Sequence, residues 1–349
     1  MIAELYDKTV FLIVLSTMFS ALMIYPALGA ALTVAYAVWG FSFILTASLD
    51  SAFNNGIIRF LYTASFLGVG FTAILAPLLV AFTLLDWLLL QYVGLTYSSS
   101  TAIAAVTLAI ILAVWGFVKS FYVYTRRVDL EVGRDEPIHI AHISDLHVGA
   151  TLGRQRLKQV VSTIKDIQPD LTVLTGDLLD GSGWPQKGSL KPLERLDTVL
   201  ASLGNHDYYY GENTMERLEE AGITCLRNQA VVESGLYVAG VDDKEYPDQI
   251  PAQEITTFNP PSDQTSVLLY HRPEEVDIFK DSSFDVMLSG HTHNGQILPL
   301  KWLASFVYTY LYGVYVFDDK YLNVSSGAGT GGPMMRLGTN NEVCHIVLQ

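Results

Sequence analysis

IHIAHISDLH, residues 138–147, is a short run of alternating and branched apolar residues that ends in a carboxylate and an imidazole, Asp145 and His147. The run reads as a β-strand, with the polar pair just past its carboxyl end. The arrangement recurs along the chain. Residues 171–174 precede Gly176-Asp177, 198–203 precede Gly204-Asn205-His206-Asp207, 267–270 precede His271, and 284–288 precede Gly290-His291-Thr292-His293. Five strands thus deliver polar side chains at their carboxyl ends, the edge where open α/β sheets place their sites. Helical patterns at 155–167 and 212–221 separate the earlier strands. Further strands are expected at 236–241, 314–317, 321–324 and 343–348, with a hairpin across 318–320. Strands that alternate with helices first and run together later predict an α/β or α+β sandwich.

The first third of the chain is different. Residues 9–49 form one apolar stretch without charge, broken at 26–29, which is long enough for two membrane spans at about 20 residues each. Residues 57–85 offer a third span, kinked at Pro77, and 101–118 a fourth, leading into Phe121, Tyr122 and Tyr124. Residues 86–100, with Trp87 and Tyr92, read as an interfacial loop, and Asp86 as an interfacial charge rather than an ion relay. With four spans, Lys8, Arg59, Lys119, Arg126 and Arg127 all fall on one side, and the other two loops contain no basic residue. The positive-inside rule then places that side, and everything after it, in the cytoplasm at the inner or plasma membrane. The first eight residues are net negative, which argues against a cleaved leader. The expected organisation is a transmembrane domain of about four helices over 1–127, a linker over 128–136, and a soluble domain over 137–349.

Charge follows the same division. Of 21 basic and 35 acidic residues, only five and four lie in residues 1–127, so the remainder carries a net charge of −15. An acidic domain is unsuited to nucleic acid, which needs Lys and Arg against its phosphates. Two cysteines, Cys225 and Cys344, allow at most one bridge and fit a reducing compartment. Oligomeric state is not written in the sequence.

Five of the eight histidines, His147, His206, His271, His291 and His293, fall in the strand-end clusters beside Asp145, Asp177 and Asn205. His139, His142 and His345 lie within strands and read as structural. Imidazoles mixed with carboxylates and an amide oxygen, without thiolate, suit Mn, Fe or Zn better than Mg or Ca alone. The set exceeds what one ion needs; two ions sharing a carboxylate would use it, an arrangement of two-metal phosphoesterases.

The order D-x-H, G-D, G-N-H-D, H, G-H-x-H over residues 137–349 resembles the calcineurin-like metallophosphoesterases. Residues 204–211 (GNHDYYYG), His271-Arg272-Pro273 and residues 325–342 resemble a membrane-associated branch, which includes bacterial phosphodiesterases and UDP-diacylglucosamine pyrophosphohydrolases. The resemblance implies two mixed β-sheets flanked by helices and two divalent ions, Mn²⁺ foremost, with Fe or Zn as alternatives. It implies that Asp145, His147 and His293 hold one ion and Asn205, His271 and His291 the other, with Asp177 bridging. His206 would assist the departing oxygen as general acid, and Asp207 would orient its imidazole. Tyr270 departs from the family pattern, where a glycine or serine is common before the histidine.

Other features bear on substrate. The stretch 327–332 (GAGTGG) lacks the Lys-Ser/Thr of a phosphate-binding P-loop and reads as a tight loop. Arg336, just beyond, either supports that loop or touches a substrate phosphate. The aromatic run Trp302, Phe306, Tyr308, Tyr310, Tyr312 and Tyr315 is either core or a lipid contact, with Trp302 the candidate for substrate. Arg154, Arg156 and Lys158 form either a solvated helix face or a contact for anionic headgroups. Together these predict hydrolysis of a phosphodiester or pyrophosphate in a phospholipid or nucleotide-linked lipid, such as UDP-diacylglucosamine giving UMP and a lipid monophosphate. The alternatives are a membrane-localised phosphodiesterase or phosphatase acting on a soluble nucleotide or phosphoprotein, and a non-catalytic membrane sensor, which the intact ligand set disfavours.

Overall fold

The computed structural model describes residues 55–349 apart from 95–98, 150–152, 181–184, 186–187 and 211–212, and, before them, single positions between 39 and 49. Two membrane spans expected over residues 9–49 lie, but for those positions, outside the described residues. Among the described residues, two helices are long and apolar enough to cross a membrane: α1 (Gly56–Val93) and α2 (Ser99–Lys119).

Asn55 caps α1, its side-chain oxygen accepting from the Ile57 and Ile58 amides at 3.1 and 3.0 Å. Gly94, at φ +68°, ends the helix in the left-handed region. Pro77 lies inside α1, and the helix runs on through Asp86, where the sequence suggested an interfacial loop. The reason is a partner: the Thr101 hydroxyl of α2 donates to the buried Asp86 carboxylate, so the charge need not lie in a loop. At 1.5 Å per residue the 38 residues of α1 extend about 57 Å, nearly twice a hydrocarbon core of about 30 Å.

The remaining elements are β1 (Val123–Leu130), β2 (Ile138–Ile143), α3 (Arg154–Ile167), β3 (Leu171–Thr175), β4 (Val199–Ser202), α4 (Asn213–Glu220), β5 (Ile223–Cys225), β6 (Gln229–Glu233), β7 (Leu236–Val241), α5 (Pro251–Thr257), β8 (Ser266–Tyr270), α6 (Val276–Asp281), β9 (Val286–Ser289), α7 (Leu298–Val307), β10 (Gly313–Phe317), β11 (Lys320–Val324) and β12 (Asn341–Leu348). They form two mixed six-stranded sheets, ordered β1-β12-β2-β3-β4-β5 and β10-β11-β9-β8-β7-β6. Leu171, Val173, Leu200 and Ile140 of one sheet meet Leu236, Val267, Leu269 and Leu288 of the other, all buried. Each such side chain contributes about 1.5–3 kcal/mol by leaving water. Leu157, Val160, Val161 and Ile164 of α3 cover the outer face of the first sheet, and Ile255 of α5 and Phe279 of α6 that of the second. Burial on both faces explains why β8 (SVLLY) and β9 (VMLS) read as continuous apolar runs.

The expected linker at 128–136 begins inside a strand. β1 takes up its first three residues, 128–130, and pairs in parallel with β12, from Val123 beside Asn341 to Leu130 beside Leu348. Only residues 120–122 separate α2 from this strand. The pairing bridges some 218 positions of sequence, beyond any local pattern.

The two long apolar helices also pack on the sheets' loops. Ile74 and Leu75 of α1 and Ala109 and Ala113 of α2 share an apolar cluster with Ile297, Met335 and Leu337. Carbonyls at the end of α2 take additional hydrogen bonds from residues that border the sheets. The Gly116 carbonyl accepts from the Arg336 amide at 2.8 Å, and that of Ser120 from the Asn341 side chain at 2.6 Å and from the Arg156 guanidinium.

Candidate metal centre

The strand ends converge as the sequence suggested. Asp145 and His147 follow β2, Asp177 follows β3, Asn205 and His206 follow β4, His271 follows β8, and His291 and His293 follow β9. Asp145, His147, Asp177, His291 and His293 all have φ between 48° and 70°. Non-glycine residues in this region cost of order 1–3 kcal/mol each and persist where the surrounding fold dictates them. The turns hold the side chains in place at the expense of backbone strain.

Three groups of side chains bring their donor atoms within 4.8 Å: Asp145 with His147 and His293, His147 with Asp177 and His206, and Asp177 with His271 and His291. His147 Nε2 is 3.0 Å from His293 Nε2, and His293 Nε2 is 3.4 Å from Asp145 Oδ1. On the other side, His271 Nε2 is 3.2 Å from both Asp177 Oδ2 and His291 Nδ1. His271 Nδ1 donates to the Thr175 carbonyl at 2.8 Å, which leaves its Nε2 lone pair facing the cluster. Asp177 also accepts from the His206 amide, and Asp145 from the His291 amide.

The electrostatics ask for cations. Burial lowers the pKa of His147 to about 3 and holds those of His291 and His293 well below the usual value, so all three present neutral lone pairs. Burial would do the same to His271, but the carboxylates of Asp177 and Asp145 raise it to about 10. The same carboxylates would attract a metal ion, which would take the place of that proton on Nε2. Burial, with the Asp177 charge, raises Asp145 to about 6, whereas Asp177 is held well below its usual value by His271 and His206 despite its burial.

Two further observations fit metal ions. The buried Oδ1 of Asn205 has no hydrogen-bond partner, and a Cβ on Gly331 would lie 2.9 Å from His293 Nε2 and 3.4 Å from His147 Nε2. The space in front of these nitrogens is kept clear. Donors are N and O only, the set that suits Mn, Fe or Zn.

His206 keeps one ring nitrogen for the cleft, whereas Asp207 is turned away from it. His206 Nδ1 bonds the Asp180 carbonyl at 2.8 Å, leaving Nε2 for the cleft. Burial opposes protonation of this ring, but Asp177 and the Asp180 carbonyl raise its pKa. Asp207 does not orient the imidazole: its carboxylate accepts from the Gly204 and Leu179 amides, both at 2.9 Å, and clamps the two loops together. An acceptor on the backbone of Asp180 is invisible in sequence.

The candidate substrate residues separate. Arg336 is fully buried and donates to the carbonyls of His293 (2.9 Å), Ser326 (2.7 Å) and Gly329 (2.5 Å) and to Asn341 Oδ1 (2.7 Å). It supports the loop and is closed to a substrate phosphate. The glycine-rich stretch is the expected tight loop, laid on β2's exit by Ala328 and Gly329 amides bonding the Ser144 and Asp145 carbonyls. A Cβ on Gly329 would lie 2.1 Å from the Leu146 carbonyl, so only glycine fits. Trp302 lies exposed on α7 against Phe306, away from the cluster. Arg154 is exposed in the first turn of α3, whereas Arg156 turns inward to the end of α2. Sequence reasoning passed over Tyr308, whose hydroxyl is 3.5 Å from His291 Nε2, and Tyr209, exposed beside the His206 ring. Tyr308 stood in the aromatic run that was read as core or lipid contact.

Metal-dependent hydrolysis of phosphate esters is the chemistry to which such a fold and donor set belong. A family model described as calcineurin-like phosphoesterase matches residues 138–295. A metallophosphoesterase of Aquifex aeolicus, itself uncharacterized, is 30% identical over 269 residues, which cover 69% of this chain and 98% of that one. A zebrafish (Danio rerio) protein named transmembrane protein with metallophosphoesterase domain is 30% identical over 273 residues, 71% of this chain and 62% of its own. An uncharacterized metallophosphoesterase of Helicobacter pylori is 32% identical over 223 residues, 61% of this chain and 60% of its own. This chain belongs to the calcineurin-like metallophosphoesterases. It matches about three fifths of the length of the zebrafish and Helicobacter relatives.

Proposed function

We propose that this protein is a membrane-anchored two-metal phosphoesterase that cleaves a phosphodiester or pyrophosphate bond in a lipid-linked substrate, such as UDP-diacylglucosamine, at the cytoplasmic membrane face. The observation that carries the reading is the position of Asp177, whose carboxylate lies in two donor groups, with His147 and His206 and with His271 and His291, and comes within 3.8 Å of His147 Nε2 and 3.2 Å of His271 Nε2. In this reading Asp145, His147 and His293 hold one ion, Asn205, His271 and His291 the other, and Asp177 is shared. Two bound ions would supply charge neutralisation on the phosphate and lower the pKa of an attacking water.

The chain's own residues do the rest. His206, tethered through Nδ1 to the Asp180 carbonyl, presents Nε2 toward the cleft. There it would give its proton to the departing oxygen, a role favoured by the upward shift that Asp177 and the Asp180 carbonyl give its pKa. Tyr308 and Arg272 flank His291 at 3.5 and 3.4 Å and fix the far wall. No nucleophilic side chain is required.

The membrane reading is supported by the two apolar helices packed against the loop that borders the cluster, and the cytoplasmic side by Lys119, Arg126 and Arg127 at the exit of α2. For the test, purified wild type and Asp177→Asn would each be incubated with a membrane lipid extract and Mn²⁺, then compared by lipid mass spectrometry. Loss of one phosphorylated lipid with the wild type alone is expected. Cleavage of a generic soluble diester with no change in any lipid would overturn the lipid substrate and favour a soluble nucleotide or phosphoprotein. No cleavage of either would overturn the hydrolase.

A further inference from the structure

The segment between His291 and Tyr312 makes an excursion from the metal centre and returns to it. Thr292, between two candidate ligands, closes its base by donating to the Leu311 carbonyl at 2.6 Å, and Tyr308 comes back to His291. Between these points lies α7, LPLKWLASFV, with Lys301 its one charged residue. None of its side chains is buried; Trp302 is 66% and Phe306 73% exposed, beside Leu298, Leu303 and Val307. A patch of this kind on a soluble surface marks a contact with something apolar.

The position of α7 along the membrane helices identifies the contact. Ile297 and Leu300, at its start, join the cluster of Ile74 and Leu75 on α1 and Ala109 and Ala113 on α2. Ala113 and Ala109 precede Lys119, the basic end of α2, by six and ten residues, or about 9–15 Å along the axis. α2 itself is about 31 Å long, the thickness of one hydrocarbon core. At that level α2 exposes Ile110, Ile111, Val114 and Trp115. The exposed face of α7 therefore lies at the same level as these exposed side chains of α2, about 9–15 Å from its basic end and close to the depth of about 5–10 Å where interfacial helices lie.

We propose that α7 is immersed in the headgroup–acyl boundary of the leaflet next to the catalytic domain, with acyl chains covering Leu298, Trp302, Leu303, Phe306 and Val307. Lys301 is the one group of the helix that can reach anionic headgroups. Since both ends of the excursion sit at the metal centre, the immersed helix forms the sill between the bilayer and His291. The immersion stands apart from the lipid-substrate reading, which it would deepen by giving the substrate's acyl chains a path.

The test uses the full chain in lipid nanodiscs and the tryptophan fluorescence that disappears in Trp302→Phe. An exposed position makes this substitution structurally mild. Lipids brominated near the glycerol end of the acyl chain should quench that component about twofold or more, and more strongly than lipids brominated near the methyl end, while aqueous iodide has little effect. Quenching by iodide without quenching by brominated lipid would overturn the proposal. So would protection from both quenchers in a dimeric particle, which would assign the face to a second copy. Either failure leaves the hydrolase reading to the Asp177→Asn comparison.

Discussion

Gly331→Ala separates the metal centre from the fold. The φ of Gly331 lies outside the left-handed region, so that angle does not bar alanine, and the atom a methyl would crowd is the end of a side chain, so the metal-free protein should still fold. The new methyl, however, would stand 2.9 Å from His293 Nε2 and 3.4 Å from both His293 Cε1 and His147 Nε2. To regain an ordinary contact of about 3.4 Å the His293 ring must retreat by about 0.5 Å, against a tolerance of about 0.2 Å in metal–ligand distances. Metal affinity at the group of Asp145, His147 and His293 should fall by about 10–100-fold, or about 1.4–2.8 kcal/mol. Isothermal titration of the chelated protein with Mn²⁺ reads the affinity, and thermal unfolding without metal reads the fold. Gly329→Ala, whose Cβ would strike the Leu146 carbonyl at 2.1 Å, should instead lose the fold. Two ions bound to Gly331→Ala with wild-type affinity would refute the placement of metal at these nitrogens.

Other substitutions test other parts of the structure. Arg336→Met leaves four acceptors without their donor and should cost about 4 kcal/mol, read as a fall of about 8–16 °C in Tm; metal affinity should drop with it, since the His293 carbonyl loses its anchor. Asp207→Ala strands two buried amides and should destabilise by about 2–4 kcal/mol. By contrast, His206→Gln should leave Tm near the wild-type value and lower kcat by about 10²–10⁴-fold on a soluble diester. Thr101→Val removes the hydroxyl that meets Asp86 and should weaken the α1–α2 pair by about 0.6–1.7 kcal/mol, measured by unfolding in detergent.

Much of the site was legible because its signals are local. A strand such as 138–143 is recognisable from its own residues, and the ligand it delivers sits two residues past its end, so spacing alone tied Asp145 and His147 to one sheet edge. Repetition at 177, 205, 271 and 291 made the edge common to five strands. The apolar lengths of residues 57–85 and 101–118 likewise carried the membrane reading without any partner. What failed depended on partners distant in the chain. Residues 123–130 resemble the aromatic and basic exit of a span, and only their register against Asn341–Leu348 makes them a strand.

The sequence determined which side chains could meet a metal ion, because strand ends and glycine turns are set within a few residues. Tertiary structure alone decided what each polar group near them does. Asp207 and Asp180 both stand near His206 in sequence, yet the carboxylate of one went to backbone amides and the carbonyl of the other to the imidazole. Arg336 looked open to substrate until Ser326, Gly329, His293 and Asn341 surrounded it. The exposed face of α7 acquired meaning only beside Ile74 and Ala109. Periodicity records which face of an element is apolar; it does not record which distant segment supplies a hydrogen-bond partner or a neighbouring surface, because these follow from the register between elements, and the register is fixed only when the whole chain has packed.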